Sequence, residues 1–183
     1  MKKSEIFKTE LELIHSELLR SIATEFLDRE VPDYFILVAS SSTGKHHPSY
    51  TLGYGGLVRH TKAAVKIADT MLDLEQYSDL PHDEILVALL LHDTFKHGES
   101  DETGHTSFDH PLVAANKLKE FLIDAPEDFV ETRDVICSLI SSHMGQWNTQ
   151  DDIVLPKPIT EAQKFVHLCD YLASRKFIAV EVE

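Results

Sequence analysis

The stretch best suited to chemistry is Leu89-Leu90-Leu91-His92-Asp93-Thr94-Phe95-Lys96. An almost unbroken apolar run, Ile85 to Leu91, ends in a histidine and an aspartate side by side. Such a run reads as a helix buried on most of its surface. A carboxylate at the end of a buried helix is costly unless something compensates it, and a divalent cation is a strong compensator. Histidine with aspartate is a mixed N/O ligand set that suits Zn, Mn or Fe. One such pair proves nothing; what matters is whether further ligands converge on the same point.

Further candidates fall on inward helical faces. His60, Ala64, Ile67 and Met71 form one stripe, and Ile85, Ala88, Leu89 and His92 another. His110 opens a segment continued by Ala114, Leu118 and Phe121. His143 lies in line with Thr132, Ile136 and Leu139 or Ile140, and Asp170 sits between Val166 and Ala173 on one face. Any one of these alone reads most simply as a hydrogen-bonded core or surface side chain. Together they aim more ionisable groups into one core than the evident basic partners can match, and shared metal coordination is the economical answer. The chain's 11 histidines point the same way.

The elements that must position these residues are helical. Residues 4–29 carry apolar positions at Ile6, Leu11, Ile14, Leu18, Ile22 and Phe26, the pattern of one amphipathic helix closed by Pro32. Asp33 to Val38 is a short buried segment. A long loop follows over 39–56, with Ser40-Ser41-Ser42, Lys45-His46-His47, Gly53, Gly55 and Gly56; loops of that length are usually functional or disordered. Helical spacing returns over Leu57–Leu74. Pro81-His82-Asp83-Glu84 starts the central helix with acidic residues in its first turn, and Gly98 is a stop signal. Glu99 to Asp109 is a polar loop. His110-Pro111 opens the next helix, with proline at its first position. Residues 128–143 form another, ended by Gly145, and residues 145–159 a loop holding Trp147 and Pro156-Lys157-Pro158. Thr160-Glu161-Ala162-Gln163 has the capping-box form and opens the last helix. No strand-type alternation of any length is visible. The expectation is one all-α domain over 1–183, a bundle of about six or seven helices.

Composition narrows the function. A length of 183 residues suffices for one domain with a sizeable core. No apolar run approaches the ~20 residues of a membrane span. The start, Met1-Lys2-Lys3-Ser4-Glu5, does not lead into a signal peptide. Cys137 and Cys169 lie within helical patterns and read as reduced core residues of a cytosolic protein. The net charge of −14 disfavours broad contact with a long nucleic acid, which draws on Lys and Arg. A small phosphorylated substrate stays open, since a metal can supply local positive charge.

The order His60 … His92-Asp93 … Asp170 resembles the signature of the HD-domain superfamily of metal-dependent phosphohydrolases. His110-Pro111-Leu112-Val113-Ala114 and Ser141-Ser142-His143 resemble the added histidine positions of its two-metal branch. The likeness covers roughly residues 50 to 176. Gly55-Gly56-Leu57-Val58-Arg59-His60-Thr61, preceded by Lys45-His46-His47, is similar to the HD domain of certain bacterial 3′-to-5′ exoribonucleases, whose separate OB-type domain has no room here. With the helical reading before it, the domain is expected to divide into an N-terminal helix over 1–31, a loop over the site at 32–56 and an HD core over 57–176. The resemblance implies one metal on His60, His92, Asp93 and Asp170, with Asp93 bridging to a second on His110 and His143. The ion would be Mn, Fe, Co, Ni, Zn or Mg. Lys96 completes the His-Asp-x-x-Lys form and would contact substrate phosphate as a second catalytic group beside Asp93. Met144 stands where two-metal members often carry another histidine, and it is a poor replacement for a hard-metal ligand.

The implied activity is hydrolysis of a phosphomonoester or phosphodiester of a nucleotide or short oligonucleotide by a metal-activated water. Lys45 and Arg59 are further phosphate candidates. His46, His47, His97 and His105 are candidate proton donors or substrate contacts, each also readable as a polar loop residue. Two other classes fit the same residues: a di-iron oxygenase of the superfamily, and a nucleotide-binding module without turnover. The partner is a small phosphorylated molecule and no membrane; no particular oligomeric state is implied.

Overall fold

The structure is a computed structural model that describes residues 2–41, 43–100, 104–178 and 180. Positions 42 and 101–103, in two of the loops discussed above, lie outside the described residues. Eight α-helices follow in order: α1 Lys3–Ile6, α2 Lys8–Glu12, α3 Glu17–Arg29, α4 Gly56–Leu72, α5 His82–Leu91, α6 His110–Phe121, α7 Val130–Ser141 and α8 Glu161–Ala173. The all-α expectation holds.

The apolar run dictates the architecture. All residues from Ile85 to Leu91 are buried, so α5 needs cover on every side. It packs against α3, α4, α7 and α8, while α4 also lies on α8 and α6 on α7. Each fully buried aliphatic side chain contributes roughly 1.5–3 kcal/mol, so this rod anchors the bundle. Thr160 caps α8 as expected, its side chain accepting from Gln163 N while Gln163 Oε1 accepts from Thr160 N. Cys137 and Cys169 are buried and unbridged, and burial pushes both thiols up, Cys137 to about 11.

Two expectations need correction. The single helix over 4–29 is three pieces, which raises the helix count to eight. Ser16 caps α3, its hydroxyl accepting from Leu19 N. The carboxylate of Asp83 takes the N–H groups of His15 (3.0 Å) and Ser16 (2.7 Å), contacts that hold this backbone out of a helix. The apolar stripe restarts one residue out of phase, leaving Leu19 buried and Leu18 exposed. The second correction is a small antiparallel hairpin, Thr149–Gln150 against Ile153–Val154, turning at Asp151 with φ 51°. Strands of two residues are too short to show alternation in sequence.

The central helix also stops at Leu91, short of Gly98. His92 to Gly98 continue as tight turns, closed by Thr94 N to Leu91 O, Lys96 N to Asp93 O and Gly98 N to Phe95 O. Among the described residues no helix is long and apolar enough to cross a membrane.

Candidate metal centre

The six candidate ligands come from the ends or inner faces of five helices. His60 lies on the inner face of α4, and His92 and Asp93 follow the end of α5. His110 is the first residue of α6, His143 lies just past α7, and Asp170 is on α8. His60, His92, Asp93, His110 and His143 are buried, and the Asp170 side chain is about one-fifth exposed.

The structure brings all six together around Asp93. Asp93 Oδ2 lies 3.5 Å from His92 Nε2 and 3.8 Å from His60 Nε2. Asp170 Oδ1 closes that side, 2.9 Å from His60 Nε2 and 3.6 Å from His92 Nε2. Asp93 Oδ1 faces the other way, 3.1 Å from His110 Nε2 and 3.7 Å from His143 Nε2. The single carboxylate therefore lies between two groups of candidate side chains.

The histidine tautomers follow from their neighbours. Nδ1 of His92, His110 and His143 each meets a carbonyl three residues back, Leu89 O at 2.6 Å, Ser107 O at 2.7 Å and Ile140 O at 2.8 Å. A carbonyl only accepts, so each Nδ1 carries a proton. A neutral ring fixed this way presents a bare Nε2 inward, the arrangement that orients a metal-binding histidine. His110 Nε2 and His143 Nε2 then stand 3.2 Å apart with Asp93 Oδ1 beside them. Three electron-rich atoms face one another in a buried space. Asp93 Oδ1 and His92 Nε2 are buried without a hydrogen-bond partner. A divalent cation fits this donor set; an apolar core does not.

Charge in the metal-free protein is met locally. Burial raises the Asp93 pKa, but Lys96 and His92 outweigh it and hold the carboxylate well below its ordinary range. Burial likewise opposes ionisation of Asp170, and His60 and His92 override it. Burial pushes His92 down, yet Asp93 and Asp170 outweigh it and raise it above its usual value.

His143 is the opposite case. Burial, then His92 and His110, push its pKa to about 3. Its unfolded form titrates near 6.5. A folded-state value below the unfolded one gives stability that is intact above the unfolded pKa and lost as pH falls toward the folded one. Protein stripped of metal should therefore lose stability progressively as pH falls from roughly 6 to 4. His47, pushed to about 4 by burial and then by His60 and Lys96, acts in the same direction. Urea midpoints of chelator-treated protein measure this; a midpoint flat over that range would show the His143 ring protonated in the folded state.

The phosphate candidates divide. The Lys96 ammonium stands 2.5 Å from Asp93 Oδ2, only 14% exposed, and lines an open pocket of ≈ 510 Å³ above the ligands. Arg59 does not line it. Its guanidinium donates to the carbonyls of Tyr50, Leu52 (3.1 Å) and Tyr54 (2.9 Å), so its charge clamps the 39–56 loop. Lys45 is exposed and also outside the lining. His46 and His47 do line the pocket, with the His47 ring 5.9 Å from that of His60. A pKa near 4 leaves His47 neutral at pH 7, a hydrogen-bonding group and not a store of protons. His97 stacks on Tyr34 (5.2 Å, 13°), and His105 is exposed. Spacing gave no sign that Trp147, Tyr171 and Arg175 form part of the pocket wall. Three loop and helix-end positions so far apart in sequence share no period.

A further cluster, His15, His82 and Asp83, sits at the other end of α5. Both oxygens of Asp83 already accept backbone N–H groups there, which accounts for it as a structural clamp.

A family model described as the HD domain matches residues 57–175, a span that includes all six candidate ligands. No curated protein and no solved structure matches the chain.

Proposed function

The chain belongs to the HD-domain family, and from that premise we propose that it is a metal-dependent phosphohydrolase. It cleaves a phosphomonoester or phosphodiester of a nucleotide or short oligonucleotide. One observation supports this above the others: Asp93 turns its two oxygens toward two separate groups of histidine Nε2 atoms. His60, His92, Asp93 and Asp170 would hold one ion, and Asp93, His110 and His143 a second. Bound there, a divalent ion supplies Lewis acidity toward a phosphoryl oxygen and lowers the pKa of a bound water.

The chain's own residues do the rest. The carbonyls of Leu89, Ser107 and Ile140 keep three rings in the ligating tautomer. Lys96 places a cation at the pocket floor, where negative charge develops on a phosphoryl group. Neutral His47 offers a hydrogen bond beside His60. The net charge of −14 favours small substrates over long chains. Short oligonucleotides remain in the class because Gly55 to Thr61 resembles the exoribonuclease HD domain.

The test is product analysis. Metal-stripped protein, resupplied separately with Mn, Mg, Co and Fe, is incubated with nucleotides, cyclic nucleotides and a short RNA. Metal-dependent product supports the reading. Bound metal without hydrolysis, and with oxygen uptake in the iron form, overturns it in favour of the oxygenase.

Lys96→Met separates this lysine's role from simple pairing with Asp93. Loss of one electrophilic donor is expected to lower kcat by roughly 10²–10³-fold, with metal content unchanged. A kcat within a few-fold of the parent would reduce Lys96 to a counter-ion.

A further inference from the structure

We infer that Trp147 is a stacking platform for a nucleobase, so that the pocket selects substrates whose phosphate is attached to a planar heteroaromatic ring. This rests on the phosphohydrolase reading for the phosphoryl end alone.

Trp147 is the chain's single tryptophan, and it is 47% exposed while lining the same pocket as His110, His143 and Asp170. A large exposed aromatic is ordinary on a surface; one held rigid beside a charged centre is less so. The turn after the ligand His143 positions it, with Trp147 N donating to Met144 O at 3.1 Å. Gly145 makes the turn possible: its φ is +60°, and a Cβ there would lie 2.2 Å from His167 Cε1. His167 cannot easily yield, because its Nδ1 donates to His143 O at 2.8 Å. The indole stacks on Tyr171 (5.7 Å between centroids, 12°) and meets His167 edge-on at 5.9 Å. Tyr171 is covered in turn by the Arg175 guanidinium, 4.3 Å from its ring. On the far side of the turn Asn148 is fixed by two 2.8 Å bonds with Leu155: its O accepts from Leu155 N, and its Nδ2 donates to Leu155 O.

The indole is thus preorganised, and little entropy is lost when a flat ring lies on it. Base–aromatic stacking contributes enough to change affinity by roughly 5- to 100-fold. A sugar phosphate has no flat ring to use it. The competing account is that Trp147 only shields Tyr171, in which case its removal affects all phosphate esters alike.

Because the protein has one tryptophan, its own fluorescence reports the contact. Adenosine 5′-monophosphate, ribose 5-phosphate and inorganic phosphate are titrated into the unaltered protein. Quenching by the nucleotide alone is expected. Trp147→Ala should raise the Kd and KM for the nucleotide by roughly 5- to 100-fold, leave those for ribose 5-phosphate unchanged, and be largely rescued in Trp147→Phe. Equal quenching by ribose 5-phosphate, or an equal loss for both substrates, overturns the platform. Nucleotide quenching without turnover of any ester overturns the phosphohydrolase and leaves the platform standing.

Discussion

Asp93→Asn is expected to abolish turnover and to empty both ligand groups. The substitution keeps the shape and removes the charge that both groups share. On one side His60 and His92 lose an anionic partner, and on the other His110 and His143 are left with no carboxylate. Loss of a supporting hydrogen bond behind a ligand typically costs 10–100-fold in metal affinity or activity; loss of a shared ligand should exceed that. Metal per chain after gel filtration and kcat under saturating metal are the two readouts. His143→Ala is the informative contrast, since it touches the second group only and should leave about half of the parent's metal. Parent-like turnover in Asp93→Asn would sink the shared-carboxylate account.

Gly56→Ala is expected to cost about 3 kcal/mol or more. A Cβ at Gly56 would lie 2.0 Å from Thr51 O and 2.6 Å from Thr51 C, with Ala39 Cα at 3.1 Å. These are backbone atoms, and they cannot turn aside as a side chain would. Thr51 O also accepts from Ser40 N (3.1 Å) and Ser40 Oγ (2.9 Å), so displacing it breaks the loop closure that brings His47 to the site. Gly53→Ala is the control. Gly53 has φ +68° but nothing within 4 Å of a Cβ, so it should cost only the left-handed backbone penalty of about 1 kcal/mol. Chemical denaturation of the two variants decides it: equal losses would remove the steric explanation.

The convergence of the candidate side chains was legible because helical spacing assigns faces. His60 shares its face with Ala64, and both are buried; Asp170 lies between Val166 and Ala173, both also buried. His92-Asp93 were flagged by the apolar run before them. The family signature resembled here and the geometry agree on the same six residues. The loop residues were less legible, since their roles depend on what they meet across the fold. Arg59 was a phosphate candidate in the sequence, but three loop carbonyls take its donors. The break at Ser16 was hidden for a related reason. Its cause is Asp83, 67 residues away, and no local pattern contains it. Trp147 stood out only as a large aromatic in a loop until Tyr171 and Arg175 were seen behind it.

The clamp at Asp83 has a mechanical side. At 1.5 Å per residue α5 is about 15 Å long, with Asp83 near one end and His92-Asp93 just past the other. From Ile85 to Leu91 every side chain is aliphatic and buried, and none of them sets a polar stop against sliding along the helix axis. The rod is indexed from its far end, where His15 and Ser16 grip the carboxylate. Ligand distances at a metal centre tolerate errors of about 0.2 Å, far less than a greasy contact surface enforces. The stretch between α2 and α3, which supplies none of the six candidate ligands, therefore acts as a gauge block. It fixes how far the His-Asp pair reaches into a centre that it never touches.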